Sequence, residues 1–400
     1  MSPTVERLAS RQPESIGQRL CDQARRHGDR TLLITPEVSL TYAEMESTAC
    51  RVAHGFQQFG IAKSDVVCQM MPNCDAVIIN WMALAKLGAI NAPLNYEFRG
   101  DALSRVINLT EAKILVLDES FSFAIADIAE DLSHLETIIF RSCDAQIGKD
   151  PRLERFTTLM LDELHLSEPA PDLAEIHFSD PAMLMFTSGT TGYSKAVEFS
   201  HRYALTWASE YIEHWELNEN DVIYSASPLF HADASLLAFL SALLLGSRAV
   251  IMPRFSVSQF WNQVREHRVS VATLLAPIPL FLFNQPKRCD DSQNPLRMIT
   301  TAPMPSFWRD FEQRFNVKLV TAFGQTEVGH PIVAQIHEPH RDNTTGKPCR
   351  HFEVCIVDEW DEMVPSGVVG EILVRPKRAF TTMTGYYKDP QATSEASRNL

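Results

Sequence analysis

The chain has 400 residues, of which 45% are apolar and 22% charged, and 50 acidic side chains against 36 basic ones leave a net charge of −14. That length predicts two or three subdomains rather than one core, and the apolar share is that of an ordinary soluble globular protein. The acidic balance excludes a general nucleic-acid or membrane-surface binder, which would carry a basic patch, but not a nucleotide site built locally from a few groups.

The N-terminal stretch is polar and lacks the apolar core of a signal peptide. Thr41 and Glu44 form a capping box ahead of Met45, Ala49, Val52, Phe56 and Phe59, which predicts a helix with one buried face ending near Gly60. Val66 to Met70 predicts a strand. Asp75 to Leu87 is apolar nearly all round and stops at Gly88, as a buried helix would. Ile114 to Leu117 and Thr137 to Phe140 predict strands buried on both faces, and the alternation predicts a largely parallel, helix-covered sheet. Ser167-Glu-Pro-Ala-Pro-Asp172 reads as a linker, and a second α/β region follows from about Pro181 to Val320. Its most apolar stretch, Ala234 to Leu245, ends too soon for a membrane helix. After Gly346, strand-like runs at Phe352 to Val357 and Gly370 to Val374 predict a small β subdomain. The expected division is therefore 1–170, 171–345 and 346–400. The eight cysteines are scattered without a CxxC pair and predict a reduced, cytoplasmic chain rather than a disulfide or zinc framework.

The most informative stretch is Phe186-Thr-Ser-Gly-Thr-Thr-Gly-Tyr-Ser-Lys195, which follows the apolar run Ala182 to Phe186. Gly189 and Gly192 let backbone amides approach an anion closely. Ser188, Thr190 and Thr191 add hydroxyl donors, and Lys195 adds a point charge. The Walker A spacing is absent. On composition alone, a phosphate loop and an ordinary polar hairpin loop both remain open.

This stretch resembles the signature loop of the adenylate-forming superfamily, which includes acyl-CoA synthetases, luciferases and the adenylation domains of peptide synthetases. Ser227-Pro-Leu-Phe-His231, Thr321-Ala-Phe-Gly-Gln-Thr-Glu327 and Gly367-Val-Val-Gly-Glu371 resemble three further motifs of that family, in the right order. Leu40-Thr-Tyr42 to Gly88-Ala-Ile-Asn-Ala-Pro-Leu-Asn95 follows its early pattern, so the resemblance covers nearly the whole chain. It implies the large N-terminal domain of the adenylate-forming fold: two helix-covered β-sheet subdomains plus a small β-barrel-like one. Gly385-Tyr-Tyr-Lys-Asp-Pro-Gln-Ala-Thr393 resembles the stretch before the family's TGD motif, and Leu400 comes before that motif, so the C-terminal lid domain is expected to be absent. A lidless chain is expected to turn over poorly by itself.

The resemblance assigns roles residue by residue. Thr187, Ser188, Gly189, Thr190, Thr191, Gly192 and Lys195 would hold the β- and γ-phosphates of ATP. Ser194 stands where the family usually has proline and Ala196 where it has glycine, which leaves the loop a restraint short. Glu327 would supply a hard oxygen to Mg2+, although such a residue in isolation reads as a solvated surface carboxylate. Thr326 would donate to the α-phosphate, so that Lys195, Thr326 and Glu327 carry the catalysis. Phe323, in place of the usual tyrosine, would stack on adenine beside Thr301, Ala302 and Pro303, with Thr301 replacing a glycine. Gly324 would leave room for the substrate carboxylate. The motif is expected on a loop at a strand's C-terminal end, where open α/β sheets bind ligands. His231 would line the acyl pocket. Asp233, two residues on, reads either as the N-cap of the next helix or as a contact for a cationic group on the acid.

The implied activity is ATP-dependent formation of an acyl-adenylate followed by transfer to CoA, with ATP, Mg2+, CoA and a small carboxylic acid as partners. Phe230-His-Ala-Asp-Ala234 and Phe260-Trp261 most resemble ligases of the crotonobetaine/carnitine type. The alternatives are an adenylation domain that loads a carrier protein and a non-catalytic nucleotide- or acyl-binding remnant. No nucleic acid and no integral membrane segment are expected, and monomer and homodimer are both open.

Overall fold

The structure is a computed structural model that describes residues 15–141, 150–165, 175–187, 194–338 and 340–397. The expected linker Ser167 to Asp172 and the loop residues Ser188, Gly189, Thr190, Thr191 and Gly192 lie outside the described residues.

Helix α1 (Ile16–His27) begins at Ser15, whose hydroxyl accepts from the Gln18 amide. Strands β1 (Thr31–Ile34) and β2 (Ser39–Thr41) come next. Helix α2 (Tyr42–Gln58) starts at the capping box: the Glu44 amide donates to Thr41 Oγ1 at 3.2 Å, and the Thr41 amide donates to Glu44 Oε2 at 2.8 Å. Each bond satisfies a donor that the helix start would leave orphaned. Strand β3 (Val66–Met70) and helix α3 (Asp75–Leu87) stand where the apolar pattern puts them. Gly88 ends α3 in the left-handed region at φ 70°, open to a residue without a Cβ. Strands β4 (Ile90–Pro93), β5 (Ile114–Leu117), β6 (Thr137–Phe140) and β7 (Thr157–Met160) continue the alternation, and the short α4 (Leu161–His165) closes it.

Strands β8 (Pro181–Phe186) and β9 (Ala196–Ser200) flank the glycine-rich loop and lead into α5 (His201–His214). After β10 (Val222–Ser225) the apolar stretch winds as a π-helix, α6 (Asp233–Leu240), and continues as α7 (Ser241–Leu245). Strands β11 (Arg248–Ile251), β12 (Val271–Thr273), β13 (Met298–Thr300) and β14 (Lys318–Val320) complete the second α/β region. Then come β15 (Ala322–Gln325), β16 (Gly329–Val333), β17 (Lys347–Pro348), β18 (Phe352–Val357), β19 (Glu371–Pro376) and β20 (Gly385–Tyr386).

Two large sheets result. One has eight strands in the order β20-β9-β8-β4-β3-β5-β6-β7, parallel from β8 to β7 with an antiparallel edge at β9 and β20. The other has seven, β14-β13-β12-β10-β11-β1-β2, antiparallel only at β2. Sheet membership does not follow the division expected at residue 170: β1 and β2 join the second sheet, while β8, β9 and the distant β20 extend the first. A local apolar pattern identifies a strand but not its neighbour. β15, β16 and β17 form a small antiparallel sheet, and β18 pairs with β19 along its whole length. The largest apolar cluster draws on both big sheets (Val67, Ile223) and on the helices (Leu20, Phe56, Leu84, Trp207, Phe239). Among the described residues no helix is long and apolar enough to cross a membrane, and the described cysteines are all free.

Helices approach closely where glycine allows it. A Cβ on Gly17 in α1 would lie 2.9 Å from the Ala85 carbonyl oxygen of α3, and one on Gly55 in α2 would lie 2.8 Å from Leu164 of α4. Alanine improves helix propensity by roughly 1 kcal/mol, but overpacking of this kind costs about 1–3 kcal/mol. Gly55→Ala is therefore expected to lower the urea midpoint at an unchanged m-value. A midpoint that stays or rises would show that α2 and α4 separate freely.

Candidate active site

Strands β13 and β14 are parallel neighbours with Thr300 opposite Val320, so the chain leaves both at the same level of the sheet. Thr301-Ala-Pro303 departs from one and Thr321 to Glu327 from the other, and the Thr301 amide donates to the Val320 carbonyl at 2.9 Å between them. Thr301 and Thr321 are fully buried, and among the described residues neither Oγ1 has a hydrogen-bond partner. Ala302 is partly buried and Pro303 exposed. β10, in the same sheet, leads into Ser227 to His231 from the same carboxyl edge. Ligands of parallel sheets collect at such edges.

The expectation of a loop at Phe323 to Glu327 needs correction. Ala322 to Gln325 form β15, which pairs antiparallel with β16, and the register slips between Phe323 and Gln325. Thr326 and Glu327 therefore ride on the turn of a hairpin. Gly324 is needed by the hairpin itself, because a Cβ there would lie 2.1 Å from the Gly329 carbonyl oxygen and 2.6 Å from His330 Cδ2. Phe323 is partly buried.

Two tyrosines outside the recognised motif roles tie this turn to the rest of the site. The Tyr203 hydroxyl of α5 donates to the Thr326 carbonyl at 2.9 Å. The Tyr386 hydroxyl donates to Glu327 Oε1 at 2.8 Å, while the Met383 amide donates to the Glu327 carbonyl at 2.9 Å. Lys195 Nζ lies 4.6 Å from the centroid of the same Tyr386 ring. The only sequence signal for Tyr386 was its place in the Gly385-Tyr-Tyr stretch, which says nothing about what it touches.

The base of the glycine-rich loop is closed by its two ends. The Thr187 amide donates to the Lys195 carbonyl at 2.9 Å, and the Lys195 amide reaches Thr187 Oγ1 at 3.4 Å. The Ser194 hydroxyl donates to the Thr187 carbonyl, so a side-chain bond stands where a proline ring would have restrained the backbone. Lys195 is exposed beyond this clamp.

His231 and Asp233 differ in exposure: the imidazole is 50% exposed and the carboxyl 9%. The N-cap of α6 is Ala232; Asp233 is the first residue inside the helix and makes no capping bond, so the cap expectation is overturned. Its amide donates to His231 Nδ1 at 3.3 Å. Burial raises the carboxyl's pKa, against lowering by His231 and by a hydrogen bond with Ser227. Asp233 is thus closed in by Ser227 and His231.

A family of sequences described as AMP-binding enzymes matches residues 20–387. The chain belongs to this family. It is 30% identical over 397 residues to a crotonobetaine/carnitine–CoA ligase of Salmonella typhimurium, covering 96% of this chain and 75% of that one. It is also 30% identical over 365 residues to a ligase of the same name from Proteus mirabilis, covering 89% and 69%. Among solved structures it is similar to the N-terminal domain of FACL13 from Mycobacterium tuberculosis, with a TM-score of 0.83, 23% identity and coverage of 96% and 93%. A benzoate CoA ligase from Burkholderia xenovorans gives 0.83 at 18% identity, over 96% and 75%. These two likenesses support the fold.

For an AMP-binding enzyme the donor set suits a magnesium–nucleotide complex. Among the described residues no group of three or more His, Cys, Asp or Glu side chains converges as a metal cage. The Glu327 carboxylate fits Mg2+, an ion held through one or two carboxylates plus phosphate oxygens and water.

The hairpin rests on α5, where burial keeps His214 and Glu210 neutral while Glu213 is paired with Arg350. Trp207 packs edge-on against His330 at 5.3 Å, and burial lowers the pKa of His330 to about 3 and that of His214 to about 4. Glu210 is 3% exposed with Oε1 unpaired among the described residues. Burial raises its pKa from 4.5 to about 8, and the Glu213 charge adds to the rise against lowering by Arg350. The folded state therefore holds a proton that the unfolded state releases above pH 4.5, and stability falls as pH rises from there to about 8. Glu210→Gln is expected to stabilise the protein by an amount that grows across this window to on the order of 1–3 kcal/mol at neutral pH. Unfolding curves at several pH values check this; a loss of stability at neutral pH would mean that the Glu210 carboxylate is ionised and paired.

Proposed function

We propose that the protein joins a carboxylic acid to ATP as an acyl-adenylate and then passes the acyl group to the thiol of CoA. The observation that carries this reading is the convergence at one sheet edge: Thr301 to Pro303 and Ala322 to Glu327 leave adjacent strands, and Tyr386 links Glu327 to Lys195 at the base of the glycine-rich loop. Thr187 to Gly192 and Lys195 bind the β- and γ-phosphates. Thr326 binds the α-phosphate, and Thr301, Ala302, Pro303 and the Phe323 ring receive adenine. The acid lies beside His231 and Gly324.

Two anions must meet. A carboxylate oxygen bonds to the α-phosphorus as the bond to pyrophosphate breaks. The acid is already ionised near pH 7, so no base is required, and the work of the site is to neutralise and orient charge. Lys195 stabilises the leaving pyrophosphate. Mg2+ would be held by Glu327 with phosphate oxygens and would supply charge neutralisation. In the second step the thiol sulfur loses its proton and bonds to the acyl carbon, and AMP leaves with the electron pair. The names of the relatives favour CoA over a carrier thiol as acceptor and make a betaine-type acid the first to assay.

Lys195→Ala and Glu327→Gln are each expected to reduce ATP–pyrophosphate exchange by on the order of 100-fold, and Glu327→Gln is expected to need more Mg2+. A screen of acids pairs a betaine with a neutral acid of equal length and offers both CoA and a carrier thiol. Wild-type exchange in both variants would place the phosphate site elsewhere.

A further inference from the structure

We propose that Tyr386 is a positioning residue that stands between Lys195 and Glu327 and keeps them from pairing with each other, so that one remains available for phosphate and the other for Mg2+. The proposal rests on the assignment of the ATP site to these residues.

The two groups carry opposite charge and share one neighbour. Lys195 Nζ sits over the Tyr386 ring, 4.6 Å from its centroid, and the hydroxyl on that ring donates to Glu327 Oε1 at 2.8 Å. Among the described residues neither Lys195 nor Glu327 forms an ion pair. Left to themselves, a mobile ammonium and a nearby carboxylate would pair and blunt both functions. A ring face and a phenol hydroxyl hold each charge with a weaker, neutral partner that an arriving phosphate or metal can outcompete.

The backbone keeps Tyr386 in place. β20 pairs with β9, which begins immediately after Lys195, with Gly385 opposite Glu198 and Tyr386 opposite Val197. The Tyr387 amide donates to the Ala196 carbonyl at 2.8 Å, and the Tyr386 amide donates to Thr393 Oγ1 at 2.9 Å. On the other side the Met383 amide holds the Glu327 carbonyl at 2.9 Å. The short segment from Met383 to Tyr387 is therefore tied to the backbone at Glu327 and to the residue after Lys195.

The test is calorimetric titration of the whole protein with ATP, once with Mg2+ and once with a chelator. Tyr386→Phe keeps the ring under Lys195 but loses the bond to Glu327. It is expected to weaken binding of magnesium–ATP by about 3- to 10-fold and to leave metal-free ATP binding unchanged. Tyr386→Ala removes the ring as well and is expected to weaken both. In Tyr386→Ala/Glu327→Gln no carboxylate remains to capture Lys195, so metal-free ATP binding is expected to return to that of Glu327→Gln alone. A merely structural role would produce neither the magnesium dependence nor this rescue. Equal losses with and without Mg2+ in Tyr386→Phe, or simple additivity in the double variant, would overturn the proposal. If Tyr386→Ala does not fold, the Tyr386→Phe comparison decides alone. Normal ATP binding in both Tyr386 variants, with losses in Lys195→Ala and Glu327→Gln, would overturn this proposal and leave the ATP site standing. Wild-type protein that binds no ATP would overturn both.

Discussion

β13 and β14 pair in parallel with Thr300 opposite Val320, and this register decides where the rest of the site can stand. Parallel strands in step release their chains at one level, so Thr301 to Pro303 and Thr321 to Glu327 begin side by side. A one-residue slip would turn every side chain on one strand to the opposite face. The amide of Thr301 bonded to the carbonyl of Val320 carries the pairing one residue past the strands themselves. Beyond β14 the chain folds back as the β15–β16 hairpin, and that hairpin brings Glu327 to the β20 segment.

Charge is distributed with economy around this edge. Three buried groups behind the hairpin are neutral near pH 7: His330 and His214 because burial lowers their pKa values to about 3 and about 4, and Glu210 because burial raises its value to about 8. Aromatic rings fill the same space, with Trp207 edge-on to His330 and stacked near Tyr203 at 5.8 Å. A largely apolar backing strengthens whatever electrostatic interaction is made in front of it. There, Lys195 and Glu327 stand ready with opposite signs, both in contact with one aromatic side chain.

Departures from the family pattern are absorbed locally. Ser194 takes the place of a proline and ties the loop base through its hydroxyl to the Thr187 carbonyl. Thr301 takes the place of a glycine and is fully buried, with its hydroxyl unpaired among the described residues. Gly324 is kept for a reason internal to the hairpin, since the opposing Gly329 carbonyl fills the space a side chain would need.

The local elements were legible from the sequence because their signals are local. The Thr41–Glu44 box, the all-round apolar run from Asp75 to Leu87 and the strands at Val66, Ile114 and Thr137 each depend on residues within a turn or two of one another. The site motifs were legible for the same reason, as short runs of glycine, hydroxyl and charged residues. Tertiary structure alone decided which strand lies beside which, and so sent β1 and β2 to one sheet and β20 to the other. It turned Phe323 to Glu327 into a hairpin, moved the cap of α6 from Asp233 to Ala232 and placed Tyr386 against both Lys195 and Glu327. Tyr386 is 191 residues from Lys195 and 59 from Glu327 in the chain, a separation at which pairing depends on backbone hydrogen bonds and burial rather than on any pattern within a segment.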